Sequence, residues 1–234
     1  MTWTVLCDFD HTITTEDVTD TLLEKHALPQ WLEIEQDWKE GRIGSRACME
    51  QQVALLRASK DEVNAVADSI HVDPHFRNFA AACAKKHVPL FIVSDGLDYV
   101  IKRVLTRQEL GTLPIISSHL AHKGEDRWEL GAPFANAGCT SGASTCKCAM
   151  SRRIRTVTGA DKILYIGDGR SDYCVSMEEA DMILAKDSLL TYCEQHQLPH
   201  HAFTNFAEGL QLMEQIIIKD RQQLPAHKEE ALYA

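Results

Sequence analysis

Two aspartates separated by a single residue follow the first apolar segment of the chain. Asp8 and Asp10 lie in the sequence CDFDHT, directly after an apolar run that begins at Trp3. Carboxylates with this spacing on a loop at a strand end can face one cavity, where one attacks as a nucleophile and the other donates a proton to a leaving group. An isolated Asp-x-Asp pair is more often a solvated acidic turn. Later motifs must therefore decide between the two interpretations.

A serine and a lysine extend this candidate chemistry to phosphate. Ser94 follows an apolar run in the sequence VSDG, and its hydroxyl can form an anion pocket with the backbone amides of Asp95 and Gly96 near a helix start. Lys147 precedes a helical pattern, where its ammonium can neutralise a phosphate and an attacking carboxylate. Taken singly, the first motif is also a common turn sequence and the second a common surface residue.

A second pair of aspartates suggests a metal site. Asp168 and Asp172 lie in the sequence IGDGRSD, again after an apolar run and before a helical pattern. Carboxylate oxygens are hard ligands, and Mg²⁺ is usually held by one or two of them together with substrate phosphate and waters. Taken alone, Asp172 is also consistent with a helix N-cap.

Short apolar runs precede three of these four motifs and alternate with helical patterns along most of the chain. The runs are Trp3–Cys7, Pro89–Val93, Pro114–Ile116, Ile163–Ile166 and Met182–Leu184. Strands that are apolar throughout and alternate with helices predict an α/β fold, a Rossmann-like parallel sheet with helices on both faces. Ligands of such sheets bind beyond the carboxyl ends of the strands, so the motifs are expected to meet at that edge.

One segment interrupts the alternation. Apolar residues between positions 15 and 74, such as Val18 and Leu22, recur at helical spacing without a strand. We therefore expect a catalytic core made of residues 1–14 and 75–234, with a helical-bundle cap inserted over 15–74. Residues 118–145 predict a short hairpin followed by a loop. The polar tail from Gln223 onward is expected to fray.

Composition limits the classes of partner. The chain has 234 residues, with 24 basic and 34 acidic side chains, so its formal net charge is −10. The electrostatic field of an acidic protein repels phosphate polymers and anionic lipids, so we expect no nucleic acid and no membrane as partner. The longest apolar runs, such as Leu90–Val93, are too short to cross a bilayer. Without a signal-peptide pattern, the eight scattered cysteines are expected to be reduced in a cytoplasmic protein.

The ordered series Asp-x-Asp-x-Thr, Ser, Lys and Gly-Asp-Gly-x-x-Asp resembles the haloacid dehalogenase (HAD) superfamily phosphatases over nearly the whole chain. The helical insertion is similar to the type-1 cap of phosphoserine-phosphatase-like members. The resemblance implies that Asp8 is the nucleophile that becomes an aspartyl phosphate, and that Asp10 protonates the leaving oxygen and then activates water. It further implies that Thr12 supports this loop, that Ser94 binds the phosphoryl oxygens, and that Lys147 stabilises their charge.

The resemblance also implies a cofactor and a substrate class. Mg²⁺ is expected on the Asp8 carboxylate, the Asp10 carbonyl and Asp168, with Asp172 binding it directly or through water. The substrate is expected to be a small phosphorylated metabolite, a phosphomonoester. Phosphoryl transfer depends mainly on positioning and charge neutralisation, which this set of residues can supply.

Two features bear on the substrate. The tract with Cys139, Cys146 and Cys148 resembles that of the MtnX group of methionine-salvage phosphatases, which act on 2-hydroxy-3-keto-5-methylthiopentenyl-1-phosphate. Glu16 matches an acidic residue that phosphoserine phosphatases place near the substrate amine. Their carboxylate-binding arginine aligns with Gln51 or Gln52, and a neutral amide weakens the phosphoserine interpretation.

Several alternatives stay open at this stage. Phosphoserine, phosphocholine, phosphoethanolamine and vitamin phosphates are other possible substrates, because His11 and Cys148 depart from the methionine-salvage pattern. A phosphomutase or a non-catalytic binding protein would share the same fold. The three cysteines, with His119 or His122, are also a candidate Cys₃His zinc site. Trp31 and Trp38, seven residues apart, either pack within the cap or form an aromatic wall towards the substrate.

Overall fold

The computed structural model describes residues 1–222 and contains seven strands and ten helices within that range. The strands, β1 to β7, are Trp3–Cys7, Leu90–Leu97, Ile115–Gly124, Arg127–Gly131, Lys162–Gly167, Met182–Ala185 and His200–Ala202. The helices, α1 to α10, are Val18–His26, Trp31–Lys39, Ser45–Leu55, Lys60–Ser69, Phe76–Lys85, Asp98–Arg107, Lys147–Thr158, Tyr173–Glu178, Asp187–Gln195 and Phe206–Gln222. The predicted fraying tail lies outside the described residues.

All seven strands form one sheet in the order β4-β3-β2-β1-β5-β6-β7. Six of them are parallel, and β4 pairs antiparallel with β3 as a hairpin. The parallel α/β fold predicted from the sequence is therefore confirmed. The sequence pattern missed β7, because the short segment His200–Ala202 carries two histidines and is only partly buried.

Helices cover both faces of the sheet. Along the fully buried β1, Val5 and Cys7 pack in one hydrophobic cluster, while Leu6 between them packs in another with Tyr165. This split follows from the alternation of side chains along a strand. In the larger cluster, the ring of Phe206 on α10 makes edge contacts with the rings of Phe76 and Phe79 on α5, which packs the two helices together.

Four helices, α1 to α4, connect β1 to α5 without a strand between them. Helix α4 begins with a capping box in which Ser59 and Glu62 exchange hydrogen bonds. The indole of Trp128 in β4 donates a 2.7 Å hydrogen bond to the Ala58 carbonyl, which ties the hairpin to this helical segment. The division into a core and a cap with boundaries at 14 and 75 remains a prediction.

Within residues 1–222, none of the helices has both the length and the apolar character that a membrane span requires.

The aromatic cluster should contribute strongly to stability. Phe206 is fully buried against Phe76 and Phe79, so Phe206→Ala leaves a large cavity and should lower the free energy of unfolding by about 3–5 kcal/mol. Urea unfolding followed by circular dichroism measures this change. The control is Val157→Ala on α7, whose side chain is 77% exposed and should matter little. Equal effects of the two substitutions would contradict the assignment of this cluster as a packing centre.

Candidate active site

The predicted catalytic motifs meet at the carboxyl ends of β1, β2 and β5, three adjacent parallel strands. They border a cavity of about 320 Å³ between the sheet edge and helices α1 to α3. Its lining residues are Asp8, Asp10, His11, Asp17, Thr19, Asp20, Glu35, Trp38, Ser45, Cys48, Met49, Gln52, Ser94, Asp95, Gly96, Asp168, Gly169, Arg170 and Ser171. Topology thus gathers residues as far apart in the chain as Asp8 and Ser171 into one site.

Lys147 lies at the first position of α7, with a side chain that is only 3% exposed. Its ammonium lies 2.7 Å from Asp8 Oδ2 and 2.6 Å from Asp172 Oδ1, and it donates a third bond of 2.9 Å to Ser171 Oγ. The three protons of the ammonium are therefore matched by three acceptors. The two carboxylates raise the pKa of Lys147 even though burial alone would lower it.

Asp172 holds Lys147 and the preceding loop in place. Its Oδ1 also accepts the Tyr165 hydroxyl at 2.5 Å, and its Oδ2 accepts the backbone amides of Asp168 and Gly169 at 3.0 Å. Burial raises the pKa of Asp172, but these donors and the Lys147 charge outweigh it, so its pKa lies below the usual range. Because both oxygens already accept two bonds, Asp172 is poorly suited to bind a cation directly.

The acidic residues form a cluster that suits a hard cation. One oxygen each from Asp8, Asp168 and Asp172 lies within 4.8 Å of the others, the only such group of three metal-ligand side chains among the residues described. Burial raises the pKa of Asp8, because the Lys147 charge offsets only part of the desolvation. Burial and the Asp172 charge raise the pKa of Asp168 to about 6. Three carboxylates around one ammonium leave excess negative charge, which Mg²⁺ would balance.

Among the residues described, the cysteine tract and the two histidines of the zinc alternative do not come together in a cluster of metal ligands. The His119 ring faces Asp98 Oδ2 at 2.8 Å. The His122 ring meets the Glu125 carbonyl at 3.0 Å and packs on Trp128. Both imidazole rings therefore have hydrogen-bonding partners at or beside the β3–β4 hairpin.

The loop after β1 is fixed by hydrogen bonds within the loop and to the loop after β5. Asp8 Oδ1 accepts the Phe9 amide at 2.8 Å, and the Thr12 hydroxyl donates a 2.6 Å bond to Asp168 Oδ1. His11 adopts a left-handed backbone with φ of 52°, a conformation in which glycine is unstrained. Asp10 Oδ1 accepts the Val18 amide at 2.9 Å, so the same carboxylate borders the cavity and holds the start of α1. Burial and the Asp17 charge raise the pKa of Asp10.

Ser94 and Gly96 lie within the carboxyl end of β2, which continues past the predicted end at Val93 through a register shift against β3. The Gly96 amide donates to Ser94 Oγ at 2.9 Å, and the serine hydroxyl keeps its own proton for a ligand. A Cβ at Gly96 would lie 2.7 Å from Asp10 Oδ2, so a larger residue here would displace the Asp10 carboxylate.

Two residues predicted to bind substrate have other partners. The Asp95 carboxylate accepts the Thr145 amide at 2.8 Å and Ser144 Oγ at 3.2 Å, so it anchors the loop that leads to Lys147. Glu16 does not line the cavity. Its carboxylate accepts the His71 amide at 2.9 Å and the Thr15 hydroxyl at 2.6 Å. Both bonds lie where the chain segments that lead into and out of the helical segment run side by side.

The helical wall of the cavity contains residues that the motif analysis did not single out. Asp17, Asp20 and Glu35 line it, and the guanidinium of Arg170 lies 6.0 Å from the Trp38 ring centre. No local sequence motif identifies these three carboxylates as site residues. Asp17 is also the N-cap of α1, and this structural role explains an aspartate at that position without any part in function. Only the fold brings them to the site.

The structure shows which of the residues considered for substrate contact line the cavity and which do not. Trp38 lines the cavity whereas Trp31 does not, and Gln52 lines it whereas Gln51 donates to the Ala47 carbonyl. Neither arginine of α3 and its end lines the cavity. Arg57 donates to the carbonyls of Ala54 and Leu56, and Arg46 lies 3.5 Å from Glu50 on the exposed side.

Asp172→Asn should destabilise the metal-free protein at neutral pH by about 3 kcal/mol, because it removes one partner of a buried ion pair. The folded-state pKa of Asp172 is lowered, so its stabilising contribution is present above the unfolded value and lost as the pH falls through the folded value. The difference between wild type and variant should therefore shrink on acidification. Urea unfolding in EDTA at several pH values tests this.

Asp126→Asn, at a side chain 47% exposed beside Arg127, is the matched control and should change stability little at any pH. A wild-type advantage over Asp172→Asn that grew as the pH fell would contradict the assigned ion pair.

Comparison with known proteins agrees with this geometry. A phosphatase for 2-hydroxy-3-keto-5-methylthiopentenyl-1-phosphate from Geobacillus thermodenitrificans is 31% identical over 205 residues, covering 86% of this chain and 91% of its own. The same enzyme from Brevibacillus brevis is 27% identical over 215 residues, covering 91% and 95%. A substrate-bound phosphoserine phosphatase shares the fold with a TM-score of 0.70 at 15% identity, covering 91% and 98%. The family model described as haloacid dehalogenase-like hydrolase matches residues 5–176, and the chain belongs to this family.

Proposed function

We propose that the protein is a Mg²⁺-dependent phosphomonoesterase that hydrolyses a small-molecule phosphate ester through an aspartyl-phosphate intermediate. The observation that carries the proposal is the buried carboxylate of Asp8, bound to Lys147 at 2.7 Å and bordering the same cavity as Asp10 and Ser94. A nucleophile, a proton donor and phosphate-binding groups at one strand edge are the parts that phosphoryl transfer requires.

In the first half of the reaction, an Asp8 oxygen forms a bond to phosphorus while the bond from phosphorus to the ester oxygen breaks. The Asp10 carboxyl gives its proton to that departing oxygen. Ser94 donates a hydrogen bond from its hydroxyl to a phosphoryl oxygen, and the Lys147 ammonium stabilises the negative charge on Asp8 and the phosphoryl group. In the second half, the Asp10 carboxylate takes a proton from a water molecule, whose oxygen displaces Asp8 from phosphorus.

The donor set fits magnesium. Asp8 and Asp168 supply carboxylate oxygens, and the Asp10 carbonyl is the third proposed ligand, whereas Asp172 acts through Lys147 and the loop amides that it accepts. When bound, Mg²⁺ supplies positive charge that neutralises the phosphate and orients it for attack.

Asp8→Asn should reduce phosphate release at least about 10⁴-fold, because an amide oxygen is a far weaker nucleophile than a carboxylate. Removing Mg²⁺ with EDTA should abolish wild-type activity, and added Mg²⁺ should restore it. The control Asp61→Asn, at the exposed start of α4, should leave the rate unchanged. Substantial turnover by Asp8→Asn, or activity that withstands EDTA, would refute the assigned mechanism.

The substrate that we propose is 2-hydroxy-3-keto-5-methylthiopentenyl-1-phosphate, the compound in the names of the relatives reported above. Met49, Cys48 and Trp38 give one part of the cavity wall a soft, polarisable surface suited to a thioether. Gln52 lines the cavity where a phosphoserine enzyme would need a cation for the substrate carboxylate. Because all eight cysteines are free thiols, we also propose a reducing, cytoplasmic location.

A panel of phosphate esters tests the substrate. We expect kcat/KM for the methylthiopentenyl phosphate to exceed that for phosphoserine by at least about 100-fold, since the phosphoserine carboxylate would meet acidic side chains. Phosphocholine, phosphoethanolamine, thiamine monophosphate and pyridoxal phosphate complete the panel. A preference for phosphoserine would overturn the substrate. Phosphoryl transfer to a second hydroxyl without phosphate release would indicate a mutase, and no reaction would favour a binding protein.

A further inference from the structure

Two free thiols lie close together in the loop that leads to Lys147. Cys139 packs against the hydrophobic cluster that contains Cys146, and the two sulfurs share a hydrogen bond. We infer that Cys139 and Cys146 are a modification site, a pair of thiols that hydrogen peroxide converts to a disulfide with loss of activity. The loss of activity rests on the proposed function, whereas the formation of the disulfide does not.

The two thiols differ in exposure and acidity. Cys139 is partly exposed, and its Sγ lies 3.3 Å from the Ser141 hydroxyl oxygen. Burial alone would raise the pKa of this thiol, but hydrogen bonds with Ser141, the Ala143 amide and the Cys146 thiol outweigh it and lower the pKa. Cys146 is buried, which raises its pKa and keeps its proton available to the Cys139 sulfur. An accessible sulfur with thiolate character beside a second thiol is typical of a redox-sensitive pair.

Burial separates most of the other cysteines from this pair. Peroxide reacts with accessible thiolates, and thiols in a packed core are inert. Five further cysteines are buried, namely Cys7, Cys48, Cys83, Cys148 and Cys193. The remaining one, Cys174, is partly exposed and lies 3.4 Å from the Thr140 hydroxyl oxygen, so it provides an internal comparison.

The oxidation takes two steps. The Cys139 sulfur attacks one oxygen of hydrogen peroxide, so that an S–O bond forms, the O–O bond breaks and the departing hydroxide takes up a proton to become water. The Cys146 sulfur then attacks the Cys139 sulfur, so that the S–S bond forms and the hydroxide that leaves takes the Cys146 proton. The two thiols lose two electrons, and one peroxide becomes two waters. Thiol exchange with dithiothreitol reverses the change.

The loop between the two cysteines contacts both sides of the cavity. Cys146 is the N-cap residue of α7 and directly precedes Lys147, whose ammonium lies 2.7 Å from Asp8. The Gly142 carbonyl accepts the amide of Arg46 at 2.9 Å, at the start of α3. A disulfide holds its sulfurs about 2 Å apart, closer than two thiols in contact, so its formation draws Cys146 out of place. Displacement of the adjacent lysine should lower the rate, because phosphoryl transfer depends on exact positioning.

Peptide mapping of the full-length protein tests the pair without reference to activity. The reduced protein is treated with hydrogen peroxide, its free thiols are blocked with iodoacetamide, and it is digested with trypsin. No lysine or arginine lies between Arg127 and Lys147, so both cysteines fall in the peptide 128–147. We expect this peptide to carry no blocking group and to be two hydrogen atoms lighter than its thiol form. Cys148 and Cys174 fall in other peptides, so a disulfide to either would appear as a cross-linked pair and would overturn the assignment.

Hydrolysis of p-nitrophenyl phosphate with Mg²⁺ measures the effect on activity. Peroxide should lower the wild-type rate at least about 10-fold, and dithiothreitol should restore it. Cys139→Ser should be as active as the untreated wild type and should stay active in peroxide. Cys174→Ser, at the other partly exposed thiol, is the matched control and should lose activity as the wild type does.

The two measurements separate the possible failures. A peptide 128–147 that stays reduced, or that gains oxygen atoms without forming a disulfide, overturns the pair. A disulfide that leaves the rate unchanged overturns its effect on Lys147. If the untreated enzyme releases no phosphate from any ester, the proposed function fails, while the peptide map, which needs no variant, still decides whether Cys139 and Cys146 are oxidised together.

Discussion

The ion pair between the Lys147 ammonium and the carboxylates of Asp8 and Asp172 connects the main parts of this site. Two carboxylates buried at one sheet edge repel each other, and removing them from water adds a further cost. Lys147 offsets part of this cost, which requires α7 to begin at this edge. The loop before α7 is held in turn by the Asp95 carboxylate, and Asp172 is held by Tyr165 from within β5. Holding these charges together therefore also constrains the backbone on each side of the site.

The same arrangement links the chemistry to the helices that cover it. The Asp10 carboxylate borders the cavity and also accepts the amide of Val18 at the start of α1, so the proposed proton donor is tied to the helical segment. The Arg170 guanidinium extends from the loop after β5 to the ring of Trp38 in α2. Movement of these helices would change both the access of water to phosphorus and the environment of Asp10, as expected for an active site that must exclude water during transfer and admit it afterwards.

Motif order and strand pattern predicted the fold and the position of Asp8, Asp10, Ser94, Lys147 and Asp168 at one edge, because parallel strands impose that geometry. They did not predict what Glu16 and Asp95 bind, because a carboxylate near an active site can equally hold the backbone. The acidic residues of the helical wall were not predicted either. Asp20 and Glu35 come from α1 and α2, whose packing depends on many weak contacts, and only the folded chain brings them together.

Chemical trapping of the covalent intermediate is the most direct test of whether Asp8 forms an aspartyl phosphate. Asp10→Asn, which lacks the base for the second step, would be mixed with Mg²⁺ and ³²P-labelled p-nitrophenyl phosphate, whose leaving group needs no proton from Asp10. The reaction would be quenched in acid, and the label would be located by peptide mapping. An aspartyl-phosphate mechanism requires an acid-stable, hydroxylamine-sensitive phosphate on the peptide that contains Asp8, and no label when Asp8 is also changed to Asn. Label on another residue, or rapid phosphate release with no labelled protein at any time, would contradict it.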